Sequence, residues 1–263
     1  MKPLDIRTVQ VVQYIKPLRE GGSLPAIVKA DDGFQYVLKF RGAGQGTKAL
    51  IAELLGGELA RAFGLKVPEL VFMVLDDSFS KTEPDEEIQD LLKFSVGLNL
   101  GLHFLSSAMT YDPLVTRVDA KTASKVVLLD SLISNIDRTA KNTNLLYWNR
   151  ELWAIDHGAS FYFHHQWDTW EPHLTRTFPL IKDHVLVSKA SQLREVADEM
   201  KAVLTDEFIT SLVATIPEDW LRNESDTMST DRMRENYITY LKAKLALIEP
   251  LIKEAEDARY IHL

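Results

Sequence analysis

A polar segment in the middle of the chain, Asn135–Asn144, constrains the fold more than any other feature. It follows an apolar helical pattern over Lys121–Ser134 and precedes two short strand patterns within residues 145–155, with Asn149-Arg150 as the turn between them. A hairpin returns the chain to the place where it started. Any fold must therefore place the sequence that follows the second strand, Asp156-His157-Gly158, beside the polar segment.

The residues at the open end of this hairpin are of the types that phosphoryl transfer requires. That reaction needs a carboxylate that orients the acceptor hydroxyl and oxygen ligands for Mg²⁺. Asp137 and Asn142 come from one loop with four residues between them, and Asp156 follows nineteen residues after Asp137. The hairpin folds Asp156 back to the same place, where its carboxylate can hold the second side of a metal ion. The alternative to a role in catalysis is a purely structural one, in which Asp137 is a capping residue and Asn142 is a turn residue.

Further candidates lie nearer the N-terminus. Gly21-Gly22-Ser23 follows a strand pattern and is suited to present backbone N–H groups to phosphates. Lys39 follows a run of hydrophobic strand residues, and Glu53 lies fourteen residues later in a predicted helix, where it is placed to pair with the lysine. Glu58 competes for that role. Each feature alone also has an ordinary structural reading, but their order along the chain matches that of a kinase.

The two halves of the chain have different patterns. Strand patterns dominate from Ile6 to Leu75, interrupted by a helix predicted over Lys48–Phe63. The acidic stretch Asp76–Asp90 is interpreted as a surface loop, and Lys93–Met109 as a strand. Helical patterns prevail beyond it, including one over Asp231–Ile248. We predict an α+β fold with a small, mainly β N-lobe over residues 1–108 and a mainly α C-lobe over residues 109–263.

Composition excludes several classes of protein. The net charge of −8 and the pI near 5.4 argue against a protein that coats nucleic acid. The absence of cysteine rules out disulfides, structural Cys–zinc sites and cysteine nucleophiles. We see no secretory signal pattern and no apolar run near the roughly 20 residues of a membrane span, so we expect a cytoplasmic protein without membrane or direct nucleic-acid partners.

Three motifs resemble those of the HipA-like kinases, in particular the short stand-alone branch of that family. They are the loop Asn135–Asn142, the sequence Ile155–Gly158, and the strand Val37–Phe40 together with Gly21-Gly22-Ser23. The resemblance extends from about Val11 to His165. It implies a two-lobed fold related to protein and phosphoinositide kinases, with ATP and Mg²⁺ in the cleft between the lobes.

The same resemblance implies roles for individual residues. Asp137 would be the catalytic carboxylate, Asn142 and Asp156 the Mg²⁺ ligands, and Lys39 the ATP-contacting lysine. The strand Leu102–Ser106 would be the hinge, whose residues His103, Phe104 and Leu105 receive adenine through backbone groups. One departure is visible in the loop, because Thr139 stands where the full-length toxin kinases have histidine. Their autophosphorylated serine has Ser23 as its nearest counterpart here.

The sequence thus predicts an ATP- and Mg²⁺-dependent kinase that transfers the γ-phosphoryl group to a hydroxyl, and the resemblance implies serine or threonine of a protein as acceptor. A small-molecule kinase of the same fold is one alternative, and a catalytically silent nucleotide-binding module is another. The intact set of Lys39, Asp137, Asn142 and Asp156 favours an active enzyme. Nothing in the sequence separates a protein acceptor from a small one.

Overall fold

A closed five-stranded barrel forms the N-terminal part of the computed structural model, which describes residues 4–18, 24–222 and 228–261. Its strands follow the order β1-β2-β3-β5-β4. The barrel closes because β1 pairs in parallel with β4, whereas the other neighbours are antiparallel. The strand bounds are β1 Thr8–Pro17, β2 Ala26–Ala30, β3 Gln35–Lys39, β4 Leu70–Leu75 and β5 Gly97–His103.

Helix α1, Gly46–Ala62, connects β3 to β4 and confirms the helix predicted over Lys48–Phe63. Every residue from Leu50 to Ala60 is buried, because α1 contacts β5 on one side and the C-terminal helices on the other. A helix that is apolar on nearly all faces is stable only when it is covered on all of them. Gly64 follows its end with a φ of +79°, the left-handed conformation that glycine adopts without strain.

The segment between β4 and β5 differs from its prediction. The stretch Asp76–Asp90, predicted to be a loop, contains a short 3₁₀ turn and the first half of α2, Glu86–Phe94. Asp85 caps this helix by accepting the N–H groups of its first turn, and the apolar residues Ile88 and Leu92 are buried in the barrel's core cluster. The strand predicted over Lys93–Met109 is confirmed only for β5 and for Met109, because Lys93 and Phe94 belong to α2 and residues 104–108 form a turn between strands.

The C-terminal part begins with a short strand, β6 (Met109–Thr110), and helix α3 (Ala120–Ile133). The hairpin of β7 (Leu145–Trp148) and β8 (Glu151–Ala154) is confirmed, with positive φ at both Asn149 and Arg150, as a two-residue type I′ turn requires. A run of 3₁₀ turns follows over residues 162–189. The remaining helices are α4 Leu193–Val203, α5 Asp206–Val213, α6 Glu218–Leu221, α7 Thr230–Ala246 and α8 Ile248–Ile261.

The core is built in two units. Helix α1, the C-terminal helices and the hairpin share one continuous apolar cluster, and the barrel interior has its own. The predicted helix over Asp231–Ile248 is α7, which ends at Ala246 before α8 begins. Within the part of the chain that the structure describes, no helix is long and apolar enough to span a membrane.

Candidate active site

Lys39, the last residue of β3, contacts two carboxylates that come from distant parts of the chain. Its Nζ lies 2.5 Å from Oε2 of Glu53 on α1 and 2.6 Å from Oδ1 of Asp156, just after β8. The Glu53 side chain is fully buried, that of Lys39 is 15% exposed, and that of Asp156 is 44% exposed. The ammonium is therefore anchored from inside the protein, while Asp156 remains accessible to a ligand.

The electrostatics of this site favour the charged forms of Lys39 and Glu53. Burial disfavours the Lys39 ammonium, but the carboxylates of Asp156 and Glu53 outweigh burial and raise the pKa of Lys39. Burial likewise opposes the charge on Glu53, yet Lys39 and a hydrogen bond from His157 hold the pKa of Glu53 below its ordinary value. Lys39 and Glu53 are therefore ionised at neutral pH.

The structure distinguishes between the two glutamates that compete for Lys39. Glu58 accepts a hydrogen bond from Arg61 Nε at 3.1 Å, whereas Glu53 contacts Lys39 and also accepts the N–H of His157 at 2.8 Å. Gly56 permits this close approach of α1, because a Cβ at that position would lie 2.6 Å from the Cβ of His157. Glu53 thus connects β3 to the segment that carries Asp156.

Asp137 lies in the loop between α3 and β7, and two asparagines orient its carboxylate. Its Oδ2 accepts hydrogen bonds from Nδ2 of Asn142 at 2.8 Å and from Nδ2 of Asn144 at 3.2 Å. The N–H of Thr139 donates to the carbonyls of both Asp137 and Asn142, which closes the loop tightly. The structure therefore brings the predicted carboxylate and amide together, with the amide side chain of Asn142 exposed.

The hairpin connects this loop to Asp156, as its sequence pattern predicts. The N–H of Ile155 donates to the carbonyl of Asn144 at 3.1 Å, so the residue before Asp156 is joined to the end of the loop. Asp156 itself has a φ of +55°. This left-handed backbone is uncommon for residues other than glycine, and Asp is among those that tolerate it.

The donors at this site suit a hard cation. Mg²⁺ prefers carboxylate and amide oxygens and completes its shell with water and phosphate oxygens. Asn142 and Asp156 offer donors of that kind. Among the described residues, no group of three or more His, Cys, Asp or Glu side chains could hold a metal ion by itself. A Mg²⁺ ion bound here would therefore depend on oxygens from water or nucleotide.

The predicted hinge begins in β5 and leaves it after His103. The N–H groups of His103 and Phe104 donate to main-chain carbonyls of neighbouring segments, each at 2.9 Å. The N–H of Leu105 has no hydrogen-bond partner within the described ranges. Of the backbone groups predicted to receive adenine, the N–H of Leu105 is thus left to donate to a ligand. The candidates Gly21, Gly22 and Ser23 lie outside the described residues.

Sequence reasoning missed a buried charged group behind the loop. Arg138 and Asp130 are fully buried, with Arg138 Nε 2.6 Å from Asp130 Oδ2. His184 Nε2 lies 3.0 Å from the same oxygen, and Asn135 Nδ2 donates to Asp130 Oδ1 at 3.1 Å. One signal was available in the sequence, because Asp130 follows Val126 by one helical turn on the face of α3 that was predicted to be apolar.

Comparison with known proteins identifies the family. The model of the HipA-like kinases matches residues 11–246. The chain belongs to the HipA-like kinase family. The match extends well beyond His165, where the sequence resemblance was expected to end, and it confirms that resemblance. As a member of this family the chain is a phosphotransferase.

One solved structure supports the kinase-like fold, and a second shows weaker similarity. The proinflammatory kinase CtkA of Helicobacter pylori has 11% sequence identity and a TM-score of 0.57, over 95% of this chain and 99% of that one. The Golgi casein kinase, solved with Mn/ADP bound, has 13% identity and a TM-score of 0.49, over 97% of this chain and 74% of that one. The predicted kinase-like fold, β-rich in its N-terminal part and helical in its C-terminal part, is confirmed. No curated protein matches the chain.

Proposed function

We propose that this HipA-like kinase transfers the γ-phosphoryl group of ATP, with Mg²⁺, to a hydroxyl group, and that the acceptor is a serine or threonine of a protein. The observation that carries the proposal is the position of Lys39, held between Glu53 and Asp156. An ammonium fixed by a buried carboxylate, next to an accessible one, is the arrangement that phosphate binding in kinases requires. The cytoplasm, which supplies both ATP and Mg²⁺, remains the predicted compartment.

In this proposal Lys39 binds the α- and β-phosphates and Glu53 keeps it in place. The lysine is charged at neutral pH because of its two carboxylate neighbours. Asn142 and Asp156 would hold Mg²⁺, which neutralises charge on the phosphate oxygens when it is bound. The Leu105 N–H is free to contact adenine, and Gly21, Gly22 and Ser23 are proposed to cover the phosphates.

Asp137 is proposed to act on the acceptor. Asn142 and Asn144 both donate to its Oδ2, so Oδ1 has no hydrogen-bond partner among the described residues. We assign Oδ1 to the acceptor hydroxyl. The hydroxyl oxygen bonds to the γ-phosphorus, the bond from that phosphorus to the oxygen of ADP breaks, and the hydroxyl proton passes to Asp137. The asparagines keep the carboxylate oriented throughout.

The test is transfer of label from γ-labelled ATP and Mg²⁺, with and without cell lysate, followed by identification of the labelled molecule. Label on serine or threonine of a protein, either the kinase itself or a lysate protein, supports the proposal. Label on small metabolites alone makes the chain a small-molecule kinase. A chain that binds Mg·ATP and labels nothing is a silent nucleotide-binding module, and the proposal fails.

A further inference from the structure

The buried group of Asp130, Arg138 and His184 connects three parts of the chain, one of which is the loop that carries Asp137 and Asn142. Asp130 is near the end of α3, Arg138 follows Asp137 directly, and His184 lies in the 3₁₀ run after the hairpin. The three side chains are at most 2% exposed. Asp130 accepts hydrogen bonds from both of the others and also from Asn135. We call this group the Asp130 network.

Arg138 extends the network to the open end of the hairpin. Its Nη1 donates to the carbonyl of Asn144 and to that of Ile155, the latter at 3.1 Å. Asn144 orients Asp137, and Ile155 immediately precedes Asp156. A single guanidinium therefore fixes the catalytic loop and the metal-ligand segment relative to each other and to α3.

His184 joins a third segment to the same loop. Its Nδ1 accepts the N–H of Leu186 at 3.0 Å, so the ring proton lies on Nε2 and is donated to Asp130. Burial, only partly offset by Asp130, holds the pKa of His184 below its ordinary value, which keeps the ring neutral. The N–H of Val185 donates to the carbonyl of Arg138 at 3.1 Å. The chain between Asp156 and His184 is thus attached to the loop at both of its ends.

Stability alone is a poor reason for such a group. Replacing a buried ion pair by well-packed apolar residues is often neutral or stabilising, because desolvation offsets the attraction between the charges. Position is a better reason, since a misplacement of about 1 Å in a catalytic group can cost about 10²-fold in rate. The guanidinium reaches the two carbonyls that flank the site in a way that an apolar side chain cannot.

We propose that Asp130, Arg138 and His184 are positioning residues for phosphoryl transfer, which set the separation between Asp137 and Asp156. The inference rests on the proposed function, and it adds residues that touch neither nucleotide nor acceptor. Disrupting the network should lower kcat and weaken metal-dependent nucleotide binding. Metal-free ATP binding should be preserved, because Lys39 and Glu53 are outside the network.

The test compares Arg138→Lys with a matched control, Ile209→Ala. Lysine keeps the charge beside Asp130 but cannot reach both carbonyls. Ile209 is a buried residue of α5, a helix that carries no member of the network, and its truncation destabilises the C-terminal core. For Arg138→Lys we expect kcat to fall about a hundredfold, the gain in ATP affinity on adding Mg²⁺ to shrink, and metal-free ATP to bind as it does to wild type. In the control, kcat, the gain in ATP affinity on adding Mg²⁺ and the affinity for metal-free ATP should all stay at wild-type values.

Two further measurements keep the inference falsifiable. Where Arg138→Lys does not fold, His184→Gln removes one link of the network and should show the same signature at smaller size. Hydrogen exchange of the Ile155 and Val185 amides, measured without turnover, should accelerate in Arg138→Lys and not in Ile209→Ala. An unchanged kcat and unchanged exchange in a folded Arg138→Lys variant overturn the inference. A wild-type chain that transfers no phosphate overturns the proposed function instead, and the metal-dependent affinity and exchange then decide the positioning role.

Discussion

Replacing Glu53 by glutamine removes one charge from the centre of the candidate site without changing its shape. Glu53 is fully buried, and its Oε2 accepts hydrogen bonds from Nζ of Lys39 at 2.5 Å and from the N–H of His157 at 2.8 Å. Removing one partner of a buried ion pair costs about 3–5 kcal/mol. Lys39 keeps Asp156 as a partner, so we expect the lower end of that range. With about 2–4 °C per kcal/mol for a chain of this order of size, Tm should fall by about 6–12 °C.

Glu58→Gln is the matched control, because Glu58 lies on the same helix and is also buried, whereas its partner Arg61 is 38% exposed. Glutamine can still accept the hydrogen bond of Arg61, and water solvates the guanidinium, so we expect a loss of about 0–1 kcal/mol, as for exposed pairs, or a fall in Tm of no more than about 4 °C. Calorimetric unfolding measures both variants. Glu53→Gln should also lower kcat/KM for ATP by at least about tenfold, which corresponds to about 1.4 kcal/mol of barrier. Glu58→Gln should leave kcat/KM unchanged. Equal losses in the two variants, or a larger loss in Glu58→Gln, would refute the assignment.

The Tm difference between wild type and Glu53→Gln should also depend on pH. The pKa of Glu53 is lowered in the folded state, so its charge stabilises the fold above the unfolded pKa of about 4.3. That contribution is lost as the pH falls through the folded value. The two Tm values should therefore be furthest apart near neutral pH and approach each other in acid. A difference that grows in acid contradicts the pairing.

Two other variants test separate features. Asp156→Asn should weaken Mg·ATP binding and nearly abolish turnover, while metal-free ATP still binds. Calorimetric titration measures the affinity, and a variant that binds Mg·ATP as tightly as wild type would contradict the assignment of Asp156 as a metal ligand. Burial, partly offset by Glu254, lowers the pKa of Lys244 to about 8. The unfolded chain therefore holds this proton more tightly than the folded protein does. As a consequence, the free energy of unfolding should rise with pH above about 8. Urea unfolding of wild type and Lys244→Met between about pH 7.5 and 9.5 should show that slope in wild type alone; equal slopes would contradict it.

The sequence predicted those parts of the site that depend on local spacing. Asn142 contacts Asp137 directly, and a hairpin whose two-residue turn and short strands are visible in the sequence joins Ile155, the residue before Asp156, to Asn144 at the end of the same loop. The strand pattern that includes Lys39 is β3, which ends at this residue, one before the predicted end at Phe40, and the helix that carries Glu53 was placed within two residues at its start. Such features are predictable because turn chemistry and helical periodicity act over a few residues.

The parts that were missed depend on distant contacts or on surface charge. Acidic side chains on the exposed face of α2 concealed the spacing of Ile88 and Leu92, which are buried in the barrel's core cluster. Closure of the barrel depends on Thr8–Gln10 pairing with a strand more than sixty residues away. The link between Asp130 and His184 spans 54 residues, and no short-range pattern connects them.

Phosphoryl transfer and nucleotide binding by Asp137→Asn, measured side by side, test the central claim most directly. Asparagine keeps the size of the side chain and removes the proton acceptor and its charge. General-base and orientation effects contribute about 10²–10⁴-fold, or roughly 3–5 kcal/mol of barrier. We predict that the variant binds Mg·ATP as wild type does and transfers the γ-phosphoryl group at least about a hundredfold more slowly. A variant that transfers phosphate at the wild-type rate would contradict the account.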